Sequence, residues 1–295
     1  MKINFEKLDH CLLCNSKNIY HFLDTKSVKE DDSYKFSLYK CKNCGFVFVN
    51  PRPSKNTIGK YYPEECPNFA DKKINILDLF FNVIRKSGKK TQIRKFKDKK
   101  VLDIGFGSGD YLKKMYKDGW DCYGVDTSKY AYENLNKSHP EFHLVNKDLL
   151  ESKFKSDYFD HVHMSAVLEH ISQPLEVLKE VKRVLKKGGT IFIMVPNFDG
   201  LYYLLNRRKA EYLVPQHLLF FNKKTLKYIL KIVGFSDVKV KTDFGNLTSY
   251  LILNKLGLIK NFYQKSVLRQ FLGVFILPME KLFDSGDVLI ADVTK

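Results

Sequence analysis

The sequence predicts an α/β protein, a doubly wound sheet that starts near residue 100 and follows a small cysteine-rich unit. An apolar strand, Lys100-Val101-Leu102-Asp103-Ile104, runs directly into the turn Gly105-Phe106-Gly107-Ser108-Gly109 and then into a helical stretch over 110–116. Apolar strand-like runs and helical stretches alternate from there to residue 197, the pattern of successive βαβ units. Four of the six cysteines lie ahead of this region in two close pairs.

At 295 residues, 44% apolar and 28% charged, the chain has material for one large domain or two modest ones. With 50 Lys and Arg against 33 Asp and Glu, its net charge is +17. Residues 1–100 are net +11 (22 basic, 11 acidic), 101–199 net −2 (13 and 15), and 200–295 net +8 (15 and 7). A near-neutral middle between basic flanks points to a polyanionic partner outside the middle: nucleic acid, an anionic membrane or a phosphorylated substrate. Met1-Lys2-Ile3-Asn4-Phe5-Glu6 lacks the apolar core of a signal peptide. The uncharged run Gln270–Met279 is far short of the ~20 residues of a spanning helix. The expected location is the cytoplasm, and the basic flanks leave peripheral contact with the inner face of the membrane open.

The N-terminal cysteines read C-x2-C-x26-C-x2-C: Cys11 and Cys14, then Cys41 and Cys44. Each pair fits one tight turn, and two such turns converge four thiolates on a tetrahedral zinc ion. Four sulfur ligands close the coordination shell, so the expected role is structural. Two disulfides are the alternative, disfavoured in a reducing compartment. Cys66 and Cys122 have no partner pattern and read as buried thiols. The short strand Phe46–Val49 then meets prolines at 51 and 53. A helix is expected near 74–85, followed by Arg85–Lys100 with nine basic residues and one acid. That run reads as a solvated face or as a phosphate or membrane contact. The expected organisation is a zinc ribbon over 1–60, a basic helical linker over 61–98 and an α/β domain over 99–295.

Within the α/β domain, the glycine turn allows close approach of a ligand beyond the first strand. The spacing is G-x-G-x-G, not the dinucleotide G-x-G-x-x-G, and Asp103 precedes the first glycine by two residues. A carboxylate there repels a phosphate and suits a cationic ligand, such as the ammonium and sulfonium of S-adenosylmethionine. The second strand, Asp121–Asp126, ends in an acid placed to accept ribose hydroxyls. The third, over 142–149, carries Asp148 and Leu149. The fourth is Tyr158–Met164, and Ser165-Ala166-Val167-Leu168-Glu169-His170 is its loop. A helix from Pro174 to Lys186 is expected to stop at Gly188-Gly189 before a fifth strand over 190–197.

VLDIGFGSG, YGVD, NKDLL, FDHVHMSAVLEHISQP and LKKGGTIFIMVPN resemble, in order, the motifs of class I S-adenosylmethionine-dependent methyltransferases. The Cys pairs, FVFVNPRP and VPQHLLFF resemble a subgroup with an N-terminal zinc ribbon, associated with bacterial surface-glycan and secondary-metabolite pathways. The resemblance implies a Rossmann-like seven-stranded sheet. It implies that Asp103, Gly105, Gly107 and Gly109 meet the methionine end of S-adenosylmethionine. It places Asp126 on the ribose, and Asp148 with Leu149 on the adenine.

Methyl transfer to a hydroxyl needs a base, and His is the natural group at neutral pH. His10, His21, His139 and His143 fall outside the expected cleft, and His161 and His163 read as sheet residues. His170, after the fourth strand, and His217, in Tyr212–Phe221, are the candidate bases; a positioning role is the alternative for each. Arg207-Arg208-Lys209 offers a phosphate grip or a solvated loop. A helix begins after Asn222, an edge strand covers 238–242, and 287–293 is the last strand. Between these two strands a helical insertion over about 245–283 reads as a cap on the acceptor pocket or as an interfacial hairpin for anionic lipid. The expected acceptor is a small molecule, a hydroxyl of a nucleotide- or lipid-linked sugar. Nucleic acid is disfavoured because Met164-Ser165-Ala166-Val167 stands where a base-flipping enzyme carries Asn/Asp-Pro-Pro-Tyr/Phe. A non-catalytic scaffold that binds S-adenosylmethionine is a further alternative.

Overall fold

In a computed structural model of the chain, the described residues are 4–26, 35–55, 57–58, 98–206, 214, 216–243, 252–253, 255–258, 272, 282 and 284–295. Cys66, the linker over 61–97, Arg207–Lys209 and nearly all of the expected insertion over 245–283 lie outside them.

The N-terminal part contains β1 (Phe5–Glu6), β2 (Ile19–Lys26), β3 (Lys35–Cys41), β4 (Val47–Val49) and β5 (Arg52–Pro53). The α/β part runs β6 (Lys100–Ile104), α1 (Asp110–Lys117), β7 (Asp121–Val125), α2 (Lys129–Ser138), β8 (His143–Val145), β9 (Phe159–Ser165), α3 (Pro174–Val184) and β10 (Leu185–Pro196). It continues with α4 (Leu201–Asn206), β11 (Leu219–Phe220), α5 (Lys223–Ile232), β12 (Ser236–Asp243) and β13 (Val288–Thr294).

Seven strands form one sheet in the order β12-β13-β10-β9-β6-β7-β8. Strands β10, β9, β6, β7 and β8 pair in parallel, and β13 runs antiparallel to both neighbours, β10 and β12. The chain leaves β6 for β7 on one side, while β9 lies on its other side. The strand order thus reverses at β6, and a crevice opens beyond the carboxyl ends of β6 and β9, where such sheets bind ligands.

Helix ends follow local chemistry. The Ser128 hydroxyl accepts from Ala131 N at 3.2 Å to start α2. Asn222 and Thr225 form a reciprocal capping box that starts α5, and Gly234 at φ 86° ends it, as the sequence leads one to expect. The end of α3 differs. The helix stops at Val184 and Leu185–Gly189 is already strand, not a glycine stop. Leu185 pairs with Phe159 and Thr190 with His161, so an irregularity in β10 absorbs Gly188 at φ 73°. Lys295 N donates to the Gly189 carbonyl at 3.0 Å, which holds this stretch extended.

The ribbon does not stand apart. Its four-stranded sheet has the order β11-β4-β3-β2, so residues 219–220 supply an edge strand from more than 150 positions away. Val49 N donates to the Leu218 carbonyl at 2.9 Å, and the Phe46 and Phe221 rings lie 5.2 Å apart. Leu13, Phe46 and Phe48 belong to the same apolar core as Leu102, Val162, Ile193 and Leu289. Burying each such side chain contributes about 1.5–3 kcal/mol, so ribbon and sheet stabilise one another. Among the described residues, no helix is long and apolar enough to cross a membrane.

His161 is fully buried in β9, with Nδ1 2.8 Å from the Thr190 hydroxyl. Burial pushes its pKa down to about 3, with the nearby His163 adding to the shift. Its folded pKa lies below the unfolded value near 6.5, so its contribution is complete above pH 6.5 and is lost as pH falls towards 3. The expected loss is about 1.4 kcal/mol per pH unit. The thermal midpoint of the wild type should fall more steeply below pH 6.5 than that of His161→Phe; parallel pH profiles would contradict this reading.

Candidate functional site

Three segments meet at the crevice: the glycine turn after β6, the end of β7, and the loop after β9. The turn Gly105–Gly109 has three glycines at positive φ, 69°, 52° and 73°, a path L side chains rarely adopt. Gly105 N donates to the Val125 carbonyl and Gly109 N to the Phe106 carbonyl, both at 2.8 Å. At Gly109, an added Cβ would sit 2.5 Å from both methyls of buried Leu135. A left-handed alanine costs about 1–2 kcal/mol before that clash. Gly109→Ala should lower the thermal midpoint by roughly 2–8 °C and weaken ligand binding at the turn; scanning fluorimetry reads the first, and an unchanged midpoint would contradict it.

Asp126 locks the turn to β7. One carboxylate oxygen accepts from Gly107 N at 2.9 Å and the other from Ser128 N at 2.8 Å. Burial pushes its pKa up, and these two N–H donors oppose the shift. Asp103 is 2% exposed and 2.7 Å from His163 Nδ1. Burial raises its pKa, and the bond to His163 counters that. His163 is sandwiched in turn, 3.7 Å from the Tyr111 ring and 5.2 Å from Phe192. Asp103 is therefore tied to the neighbouring strand as well as placed beside the turn. Asp148 caps a short 3-10 turn, Leu149–Glu151, by accepting from Glu151 N at 3.0 Å, and its other oxygen meets Lys55 Nζ at 2.8 Å. Leu149 is buried.

The loop after β9 begins with Ala166 in the left-handed region at φ 55°. Val167 follows, its methyl where a Cβ on Gly105 would fall, 2.5 Å away. The 3-10 turn Leu168–His170 then presents Glu169 and His170. His170 Nδ1 donates to the Gln216 carbonyl at 2.9 Å, and its ring lies edge-on to His217 with centroids 4.6 Å apart. Burial pushes the His170 pKa down to about 4. Burial pushes Glu169 up to about 8; it is 1% exposed. Arg52, buried between ribbon and loop, donates from Nη1 to the Ser172 carbonyl at 2.8 Å and pairs with Glu6.

The second constellation is the cysteine cluster. The four Sγ atoms lie within 4.8 Å of one another, with Cys11–Cys44 and Cys14–Cys41 at 3.5 Å. A tetrahedral ion with Zn–S bonds of about 2.3 Å spaces its sulfurs by roughly 3.8 Å, so the cluster fits one. The cysteines sit on the turns expected from their spacing, with Gly45 at φ 79° after the second pair. Cys122 is a buried thiol, as expected, and burial pushes it up to about 12.

A profile of the family described as "Methyltransferase domain" matches residues 79–240, just over half the chain. The chain belongs to this methyltransferase family. It is 30% identical over 165 residues to a tRNA U34 carboxymethyltransferase of Vibrio vulnificus, covering 53% of this chain and 50% of the relative. It is 28% identical over 176 residues to a demethylmenaquinone methyltransferase of Staphylococcus saprophyticus, covering 51% and 76%. The chain thus spans about half the length of the first of these relatives. An S-adenosylmethionine-dependent methyltransferase from Archaeoglobus fulgidus shares the fold, at TM-score 0.50 and 23% identity over 74% of this chain and 94% of that one. So does Haemonchus contortus phosphoethanolamine N-methyltransferase 2, at TM-score 0.51 and 16% identity over 94% and 69%.

In this methyltransferase-family chain the structure gathers Asp103, the three glycines and Asp126 around one crevice. It brings His170 and His217 together from positions 47 residues apart. Asp148 is engaged by Lys55 and by its own turn. Sequence reasoning passed over Glu169, Arg52 and the Asp103–His163 pair. Glu169 stood in plain sight beside His170, but its isolation depends on packing that no local pattern reveals.

Proposed function

We propose that the chain transfers a methyl group from S-adenosylmethionine to a hydroxyl of a small acceptor, most simply a sugar carried on a nucleotide or a lipid. The observation that carries the reading is Asp126. It is an acid at the end of β7, fixed by two backbone N–H groups beside the glycine turn. Its remaining lone pairs suit the two ribose hydroxyls. The turn brings bare backbone to the methionine end, and buried Asp103 offers negative charge to the ammonium.

Transfer is an in-line displacement. The acceptor oxygen loses its proton and forms the C–O bond as the S–CH3 bond breaks, and the sulfur keeps the electron pair as S-adenosylhomocysteine leaves. The protein aligns the two partners and excludes water. His170 and His217 are the groups at hand to activate the acceptor. The Gln216 carbonyl holds the His170 Nδ1 proton, and burial lowers its pKa, which makes His170 a weak base; His217 is the other candidate.

The relatives named above act on tRNA and demethylmenaquinone by their names, so the sugar acceptor rests on the ribbon subgroup's resemblance. We also propose that the four cysteines bind a structural zinc ion. Incubation with radiolabelled S-adenosylmethionine and a panel of sugar nucleotides, lipid-linked sugars, quinols and tRNA tests the acceptor. Label in a sugar conjugate supports the reading, and label in tRNA or a quinol alone replaces it.

A further inference from the structure

Three donors beside the acceptor side are not needed to bind a methyl donor: Glu169, His170 and His217. One ligand atom from each lies within 4.8 Å of the others. Glu169 is 1% exposed, and neither carboxylate oxygen has a hydrogen-bond partner among the described residues. Leaving a buried polar group unsatisfied is destabilising, so this position asks for a partner.

The histidines are set up to share one. The Gln216 carbonyl only accepts, so His170 Nδ1 carries the proton and Nε2 carries the lone pair, the tautomer that ligates metals. His217 is held close by architecture: the adjoining Leu218 and β11 are clamped to β4 of the ribbon. Two imidazoles and one carboxylate form a donor set for first-row divalent cations with coordination positions left open, whereas magnesium and calcium prefer oxygen donors.

We propose that Glu169, His170 and His217 bind a divalent first-row cation, with zinc as the reference ion, at a second metal site distinct from the cysteine cluster. Resting on the methyl-transfer reading, the open position takes the acceptor hydroxyl. Coordination lowers the pKa of that hydroxyl, its proton passes to solvent, and its oxygen is presented to the methyl group. In this account His217 is a ligand and not the base.

The full chain is equilibrated with zinc, desalted, and its zinc counted by elemental analysis. Glu169→Gln and His217→Ala are each expected to hold one zinc ion fewer per chain than the wild type. Equal zinc in all three proteins would overturn the site. The difference does not depend on whether the cysteines hold zinc. Binding of S-adenosylhomocysteine, measured alongside, tells a failed metal site from a failed donor site: a missing zinc difference with intact binding sinks only the former. Should the variants not fold, cobalt(II) titration of the wild type decides. A cobalt equivalent whose absorption lacks sulfur-to-metal charge transfer supports the site, and cobalt bound only with such bands overturns it.

Discussion

Replacing Cys41 by Ser should lower the thermal midpoint by roughly 6–20 °C and weaken acceptor use more than donor binding. Cys41 is 1% exposed, at the end of β3, with its sulfur 3.5 Å from that of Cys14. A serine oxygen is a poor zinc ligand, and structural zinc binding is itself folding free energy, about 10–16 kcal/mol in isolated fingers. Forfeiting a third of that is ~3–5 kcal/mol, and a chain of this size shifts by about 2–4 °C per kcal/mol. The acceptor side suffers because β11 pairs with β4 and Leu218 is bonded to Val49, so ribbon loss releases the segment that carries His217. Among the described residues the glycine turn and Asp126 have no hydrogen bond to the ribbon, whose polar contact on the donor side is the ion pair of Lys55 with Asp148. Well below the midpoint, S-adenosylhomocysteine affinity should therefore stay within about threefold while the acceptor KM rises. An unchanged midpoint in Cys41→Ser would contradict the zinc assignment.

Asp126→Ala should weaken S-adenosylhomocysteine binding by on the order of 10²–10⁴-fold. Hydrogen bonds to a charged group contribute about 1.5–3 kcal/mol each, the proposed donor site gives Asp126 two of them to the ribose, and every 1.4 kcal/mol is about tenfold. Asp126→Asn is expected to be nearly as damaging, for a different reason. Gly107 N and Ser128 N donate to different carboxylate oxygens. An amide has one acceptor oxygen, so one of these N–H groups loses its partner and the turn loosens. Titration calorimetry on both variants reads the effect. Affinities within threefold of the wild type would remove Asp126 from the donor site.

The parts of this molecule legible in its sequence are those set by local chemistry. The glycine turn, the acids at the ends of β6 and β7, the capping of α5 and the C-x2-C turns each depend on neighbours a few residues away. What escaped depends on distant pairing. α3 gives way to strand at Leu185 because Phe159 and Lys295 offer backbone partners there. The ribbon borrows β11 from the acceptor-side segment, which ties the cysteine cluster to His217. Asp103 meets His163 because β6 and β9 are adjacent and in register. Glu169 stands out only once it is seen to be buried, with neither carboxylate oxygen hydrogen-bonded among the described residues.

The central claim, that the crevice at β6 and β7 holds S-adenosylmethionine, is tested most directly by calorimetric titration of the wild-type chain with S-adenosylhomocysteine. The account predicts saturable binding at one site per chain, abolished or strongly weakened by Asp126→Ala and retained in Glu169→Gln. Absence of binding heat in the folded wild type, with no shift of its thermal midpoint on adding the ligand, would contradict it.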